Sequence, residues 1–183
     1  MADLVLVTGG CRSGKSDYAQ SLAESQPGAR LYVATCPVID DETRRRIDIH
    51  RENRAGRDWD TLEEPLDLPG VLCGSPQHHT VLIDCVTLWV NNLMYQAGQR
   101  DAQLTEADIV ARCGELLTAA TGRMGVVIFV TNEVGLGVVP DNAQARLYRD
   151  LVGRANQIIA RRAQTVTFVS CGIPWNLKET HSP

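Results

Sequence analysis

The 183-residue chain has no Cys-x-x-Cys pair, no stretch of about 18 apolar residues, no Lys/Arg run interleaved with aromatics and no internal repeat. Each absence excludes something. Cys11, Cys36, Cys73, Cys85, Cys113 and Cys171 are scattered, with no His at zinc-ligand spacing from any of them, so they read as reduced thiols of a cytosolic protein. The N-terminus has no basic region followed by a long apolar segment, so neither secretion nor a membrane span is expected and a cytoplasmic location is. Only 5% of the residues are aromatic and the net charge is −4, with a pI near 5.5, so the overall field repels polyanions. Nucleic acid is not an expected partner. With no linker or low-complexity tract, the length fits one domain whose core needs no disulfide or structural metal.

The chain is organised around its beginning. The apolar run Leu4 to Thr8 leads directly into Gly9, Gly10, Cys11, Arg12, Ser13, Gly14, Lys15 and Ser16, followed by a helical pattern from Asp17 to Glu24. This is strand, phosphate loop and helix. The Gly-x-x-x-x-Gly-Lys-Ser spacing lets successive backbone N–H groups curl around a triphosphate. Lys15 reaches the outer phosphates and Ser16 offers its hydroxyl to Mg²⁺. The helix that follows aims its positive end at the same anion.

Further buried strands are expected over Ala29 to Thr35, Thr80 to Asp84, Gly125 to Thr131 and Thr165 to Ser170, with helices over Val86 to Gln96, Leu104 to Ala120 and Asn142 to Arg162. The pattern predicts a three-layer α/β fold of the phosphate-loop, RecA-like type around a mostly parallel sheet. One domain over residues 1–177 is expected, with regular structure ending at Gly172 to Pro174 and a mobile tail over 178–183. Thr35, Cys36 and Pro37 leave the carboxyl end of the second strand, where ligands of parallel sheets gather. Asp84 ends a strand where a phosphate-loop protein needs an acid to hold Mg²⁺, directly or through water. The loop Asn132 to Asn142, with its glycines and polar ends, suits a turn facing a ligand.

Two segments leave alternatives open. Residues 42 to 54 read as a charged helix, and the bland interpretation is a salt-bridged surface element. Arg46, His50 and Arg54 nevertheless share one stripe, and cationic neighbours keep an imidazole neutral and nucleophilic. Trp59 to Glu63 alternates and stops at Pro65, as a short extended segment with Trp59, Thr61 and Glu63 on one side. The Glu63 carboxylate either accepts the two N–H donors of a guanine edge or faces solvent.

In order along nearly the whole chain, these segments resemble the bifunctional adenosylcobinamide kinase / adenosylcobinamide-phosphate guanylyltransferase family of cobalamin biosynthesis. The resemblance rests on Val7 to Ser16, Tyr32 to Thr35, Asp40 to Glu42 with Arg46, Ile47, His50 and Arg51, then Trp59, Thr61 and Glu63, and the turn Asp84, Cys85 and Thr87. Its most diagnostic part is Val130 to Gly135, Gly137, Val139 and Pro140, followed by Ala145, Arg146, Arg149, Asp150, Gly153, Arg154, Asn156 and Gln157. The resemblance implies two reactions. ATP or GTP phosphorylates the aminopropanol hydroxyl of adenosylcobinamide. GMP is then transferred from GTP to that phosphate through a guanylylated histidine, with pyrophosphate released. By position that histidine is His50. Thr35, Cys36, Pro37, Arg51, Glu52, Asn53, Arg54, Glu63 and Asp84 match positions that contact GTP, and a homotrimer is implied. Two positions depart from the family pattern: Cys11 where relatives often have Ala, and Asp84 where some have Glu. The alternative enzyme is a simple phosphate-loop kinase of a small molecule, with His50 an incidental surface residue.

Overall fold

In a computed structural model, which describes residues 1–37, 56 and 58–179, the expected buried strands all form, and two more join them. In chain order the elements are β1 (Asp3–Gly9), α1 (Lys15–Glu24), β2 (Arg30–Ala34), β3 (Trp59–Glu63), α2 (Leu68–Gly74), β4 (Thr80–Asp84) and α3 (Val86–Gly98). They continue with α4 (Glu106–Thr121), β5 (Val126–Val130), a 3₁₀ turn (Val134–Leu136), α5 (Ala143–Arg162), β6 (Thr165–Ser170) and β7 (Ile173–Glu179). The sheet order is β3-β2-β4-β5-β1-β6-β7, parallel throughout except for β7, which runs antiparallel to β6. One strand, β5, separates the phosphate-loop strand β1 from β4, which ends in Asp84. This is the three-layer, mostly parallel α/β arrangement that the sequence predicts.

The central strands are apolar on both sides because both faces are covered. Val5, Val7, Leu82, Ile128 and Val130 pack with Ala19 and Ala23 of α1 on one face. Leu4, Leu6, Val81, Ile83, Val127 and Phe129 pack beneath α2 to α5 on the other. Trp89 of α3, only 1% exposed, anchors that second layer, and its indole N–H donates to Leu66 O at 2.9 Å. Loss of a buried ring of this size typically costs about 3–5 kcal/mol, so α3 is held firmly against the sheet.

The extended segment expected over Trp59 to Glu63 forms an edge strand paired in parallel with β2, and two other local readings change. The strand is fixed by Trp59, whose ring meets Tyr32 edge-on at 6.2 Å and whose N–H donates to Glu24 Oε1 at 3.2 Å. Helix α2 was not expected: seven residues with a Pro and two Gly give no helical period, yet Asp67 caps it by accepting from Gly70 N at 2.9 Å. Regular structure does not end at Pro174. Strand β7 runs on through Lys178 to Glu179, so the first two residues expected in the tail are paired with β6. Proline is tolerated there because β7 is an edge strand. The charged helix expected over 42 to 54, with His50, Arg51, Glu52, Asn53 and Arg54, lies outside the described residues, as do 180–183.

Candidate active site

Register aligns the functional ends of the strands in one row. Glu63 of β3 pairs with Ala34 of β2, Ala34 with Asp84 of β4, Asp84 with Val130 of β5, and Val130 with Val7 of β1. Residues in one parallel row point to the same side of the sheet. Val7, Ala34 and Val130 belong to the core beneath α1, so Asp84 and Glu63 emerge on the α1 side. The phosphate loop begins two residues beyond Val7 and returns into that helix.

The loop is shaped by close backbone approach. A Cβ on Gly9 would collide with the carbonyl oxygen of Val169 on β6, and Gly14 has φ 91° with Gly172 Cα 3.1 Å from where its Cβ would stand. Both positions exclude a side chain, which explains the two fixed glycines of the motif. Gly172 N donates to Ser13 O at 2.8 Å and locks the loop to the turn after β6. Lys15 is 9% exposed and its ammonium donates to Gly10 O at 3.1 Å, so it folds back over the cradle. Ser13 Oγ is buried with no partner among the described residues. A buried hydroxyl without a partner in a loop of backbone N–H groups fits an anion with oxygens to spare. Cys11 and Arg12 stand exposed on the rim.

Asp84 is half-buried, and its Oδ2 accepts from Tyr32 OH at 3.1 Å. Ser16 opens the first turn of α1, on the side of the sheet where Asp84 emerges. Ser16 Oγ and Asp84 Oδ1 carry no partner among the described residues. Two hard oxygen donors fit Mg²⁺, which takes few protein ligands and fills its octahedron with phosphate oxygens and water. No cluster of three or more His, Cys, Asp or Glu residues suited to a metal occurs among the described residues.

Thr35 plays a different part from the residues that follow it. It is fully buried, donating its hydroxyl to Cys85 O at 2.8 Å and accepting from Cys85 N at 2.7 Å, while Asn92 of α3 donates to Thr35 O at 2.8 Å and Pro65 O at 3.1 Å. Its side chain ties the ends of β2 and β4 together and presents Cys36 and Pro37 to the rim. Burial, then the adjacent Asp84 carboxylate, pushes the Cys85 thiol up to about 12, so it is no nucleophile at neutral pH. None of the six cysteines forms a disulfide.

Sequence reasoning places Glu133 in a ligand-facing loop but does not single it out as a site residue. Glu133 stands three residues beyond Val130, and its backbone N–H donates to Gly9 O at 3.2 Å. Thr8 Oγ1 donates to Glu133 Oε1 at 2.8 Å, and Asn156 Nδ2 of α5 donates to the same oxygen at 3.2 Å. Asn156 also accepts from Thr131 Oγ1 at 2.7 Å and donates to Asn132 O at 3.1 Å. The signal was present as a polar Thr-Asn-Glu triplet directly after a buried apolar strand. What was missing was the neighbour: only the strand order puts that triplet beside the phosphate loop. Helix α5 is set for this role by Asn142, which caps it by accepting from Ala145 N at 2.7 Å.

Comparison with known proteins identifies the family of the chain. Residues 5–177 match the family model described as cobinamide kinase / cobinamide phosphate guanyltransferase. The chain is 38% identical to the bifunctional adenosylcobalamin biosynthesis protein CobU of Escherichia coli strain K12 over 182 residues, 96% of this chain and 99% of that one. It is 41% identical to the bifunctional adenosylcobalamin biosynthesis protein CobP of Pseudomonas aeruginosa PAO1, over 97% of this chain and 98% of its relative. Among solved structures, the RadB recombinase is similar at a TM-score of 0.49 and 15% identity, over 91% of this chain and 73% of that one. From the near full-length family match and these relatives, the chain belongs to the cobinamide kinase / cobinamide phosphate guanyltransferase family.

Proposed function

We propose that this protein carries out both reactions of its family: phosphorylation of the aminopropanol hydroxyl of adenosylcobinamide by ATP or GTP, then GMP transfer from GTP to the product. The observation that carries the reading is the phosphate loop with buried Lys15, set at the same sheet end as Asp84, in a chain that matches the family over residues 5–177. The direct test is adenosylcobinamide-dependent consumption of GTP with the product's mass measured. Products lacking the GMP increment would leave only a kinase.

In the first reaction the phosphate loop holds and orients the triphosphate. Gly10 to Ser16 supply backbone N–H groups and Lys15 its ammonium, so the charge gathering on the β–γ bridge meets fixed positive groups. Ser16 and Asp84 would hold Mg²⁺, which supplies charge neutralisation across the phosphate oxygens. Asp84→Asn is therefore expected to raise the Mg²⁺ concentration needed for half-maximal kinase activity by about ten- to a hundredfold. A Mg²⁺ titration matching wild type would make Asp84 a structural partner of Tyr32 and nothing more.

In the second reaction His50 is the nucleophile, with Arg51, Glu52, Asn53 and Arg54 beside it in sequence and Cys36 and Pro37 on the rim. Glu63 recognises guanine. It lies on β3, four strand spacings from β1 and so roughly 19 Å across the sheet, which puts base recognition at the sheet edge and phosphate handling at its centre. A carboxylate accepts from the guanine N1–H and amino group, whereas adenine offers an acceptor at N1. Glu63→Gln is expected to reduce the preference for GTP over ATP in protein labelling by about tenfold or more. Unchanged discrimination would assign base choice to other residues.

The working unit in this reading is the single domain of residues 1–177, which β7 extends to Glu179. A homotrimer and a cytoplasmic location belong to the same proposal. No described helix is long and apolar enough to cross a membrane.

A further inference from the structure

An acidic side chain beside a phosphate cradle opposes the binding that the cradle exists for, unless it serves the reaction. Glu133 is such a side chain, and three observations define it. Its backbone N–H is bonded to Gly9 O, one residue before the Gly10 carbonyl that holds the Lys15 ammonium, so it stands at the mouth of the loop. Both of its side-chain hydrogen bonds, from Thr8 and Asn156, end on Oε1, leaving Oε2 with no partner among the described residues. Finally, Thr8 follows Val7 and so points to the opposite face of the sheet from Val7 and Asp84, toward Asn156 of α5. Glu133 thus reaches the cradle from the α5 flank, and Ser16 with Asp84 from the α1 flank.

We infer that Glu133 is the general base of the phosphorylation step, with Oε2 taking the proton of the acceptor hydroxyl. This rests on the kinase reading above. As the acceptor O–P bond forms at the γ-phosphorus, the acceptor's O–H proton passes to Glu133 Oε2. The bond from that phosphorus to the β–γ bridging oxygen breaks, and its electron pair leaves with the nucleoside diphosphate. Thr8 and Asn156 both bond Oε1 and so hold the carboxylate's rotation, which leaves Oε2 available as an acceptor. The opposite flank is left to Ser16 and Asp84, so metal and acceptor do not compete for one position.

Glu133→Gln tests this cleanly, because the amide oxygen still accepts from Thr8 and Asn156 while the other position becomes an NH₂ that takes no proton. The kcat for adenosylcobinamide phosphorylation is expected to fall by about 10²–10⁴-fold. ATP affinity, the Mg²⁺ midpoint, the thermal unfolding midpoint and GMP transfer onto preformed adenosylcobinamide phosphate should each stay within about threefold or a few degrees of wild type. A kcat within about threefold of wild type would overturn the proposal. So would a loss that came with a shifted Mg²⁺ midpoint, which would make Glu133 a metal ligand, or with lost GMP transfer or stability, which would make it a structural pin. Wild-type protein that left adenosylcobinamide unphosphorylated would refute the kinase reading instead, and is told apart because it needs no variant.

Discussion

Lys15→Ala is expected to lower adenosylcobinamide phosphorylation by about 10²–10³-fold, the usual consequence of removing one fixed positive group from developing oxyanion charge. The ammonium now rests 3.1 Å from Gly10 O, a neutral acceptor at the mouth of the loop, and is 9% exposed. A cation kept that far from solvent with one carbonyl partner gains a stronger partner when a phosphate oxygen arrives, because low dielectric strengthens the charge-assisted bond. The fold should be unaffected: the loop's shape comes from Gly9, Gly14 and the Gly172 contact to Ser13, none of which uses the lysine side chain. GMP transfer is expected to fall as well, if one cradle holds the triphosphate in both reactions. Steady-state rates beside an unchanged unfolding midpoint would establish the role. A folded variant turning over both reactions at near wild-type rate would rule the loop out as the shared cradle.

His50→Ala is expected to abolish covalent labelling by α-labelled GTP and to abolish GMP transfer, while phosphorylation continues. A neutral imidazole attacks the α-phosphorus, and pyrophosphate leaves with the bridging electron pair, so one difficult displacement becomes two easier ones. Arg46 and Arg54 stand four residues to either side of His50 in the sequence, and on the proposed reading cations at that spacing would disfavour imidazolium. The adduct is a phosphoramidate: protonating its nitrogen makes a good leaving group, so the label should be lost in acid and retained in alkali. A serine ester shows no such acid lability. Wild-type protein that never took up label, or a His50→Ala variant that labelled normally, would leave only a phosphate-loop kinase.

Much of the architecture was legible because parallel strands covered on both faces write themselves as unbroken apolar runs. Thr80–Asp84 and Thr165–Ser170 form over the residues that the pattern marks. The phosphate loop was legible for a different reason, since close approach to Val169 and Gly172 leaves no room for a Cβ at Gly9 or Gly14. What escaped depends on neighbours remote in sequence. β7 has only Lys178 half-buried and contains a proline, so it lacks the alternation that marks a strand facing a core. α2 is too short to show a period and is held by its cap and by Leu68 and Leu72 beneath it. Glu133 lies in a loop that the sequence marks as ligand-facing, but its own place depends on Thr8 and Asn156, 125 and 23 positions away. The Thr35 side chain ties the ends of β2 and β4 together, a contact between strands remote in sequence that no local pattern marks.

The far end of β7 bears on where a stop codon or an affinity tag can be placed. Lys178 donates to the carbonyl oxygens of Ala160 and Arg161, each at 3.1 Å, at the C-terminus of α5, where the helix has run out of amide donors and its dipole is negative. Cutting the chain after Leu177, the last residue of the family match, would remove that ammonium and hand both carbonyls to water. The helix so loosened is the one that carries Asn156 to Glu133, so a trim chosen for convenience at the surface would be felt at the phosphate loop. A tag joined beyond Glu179 leaves the clamp whole.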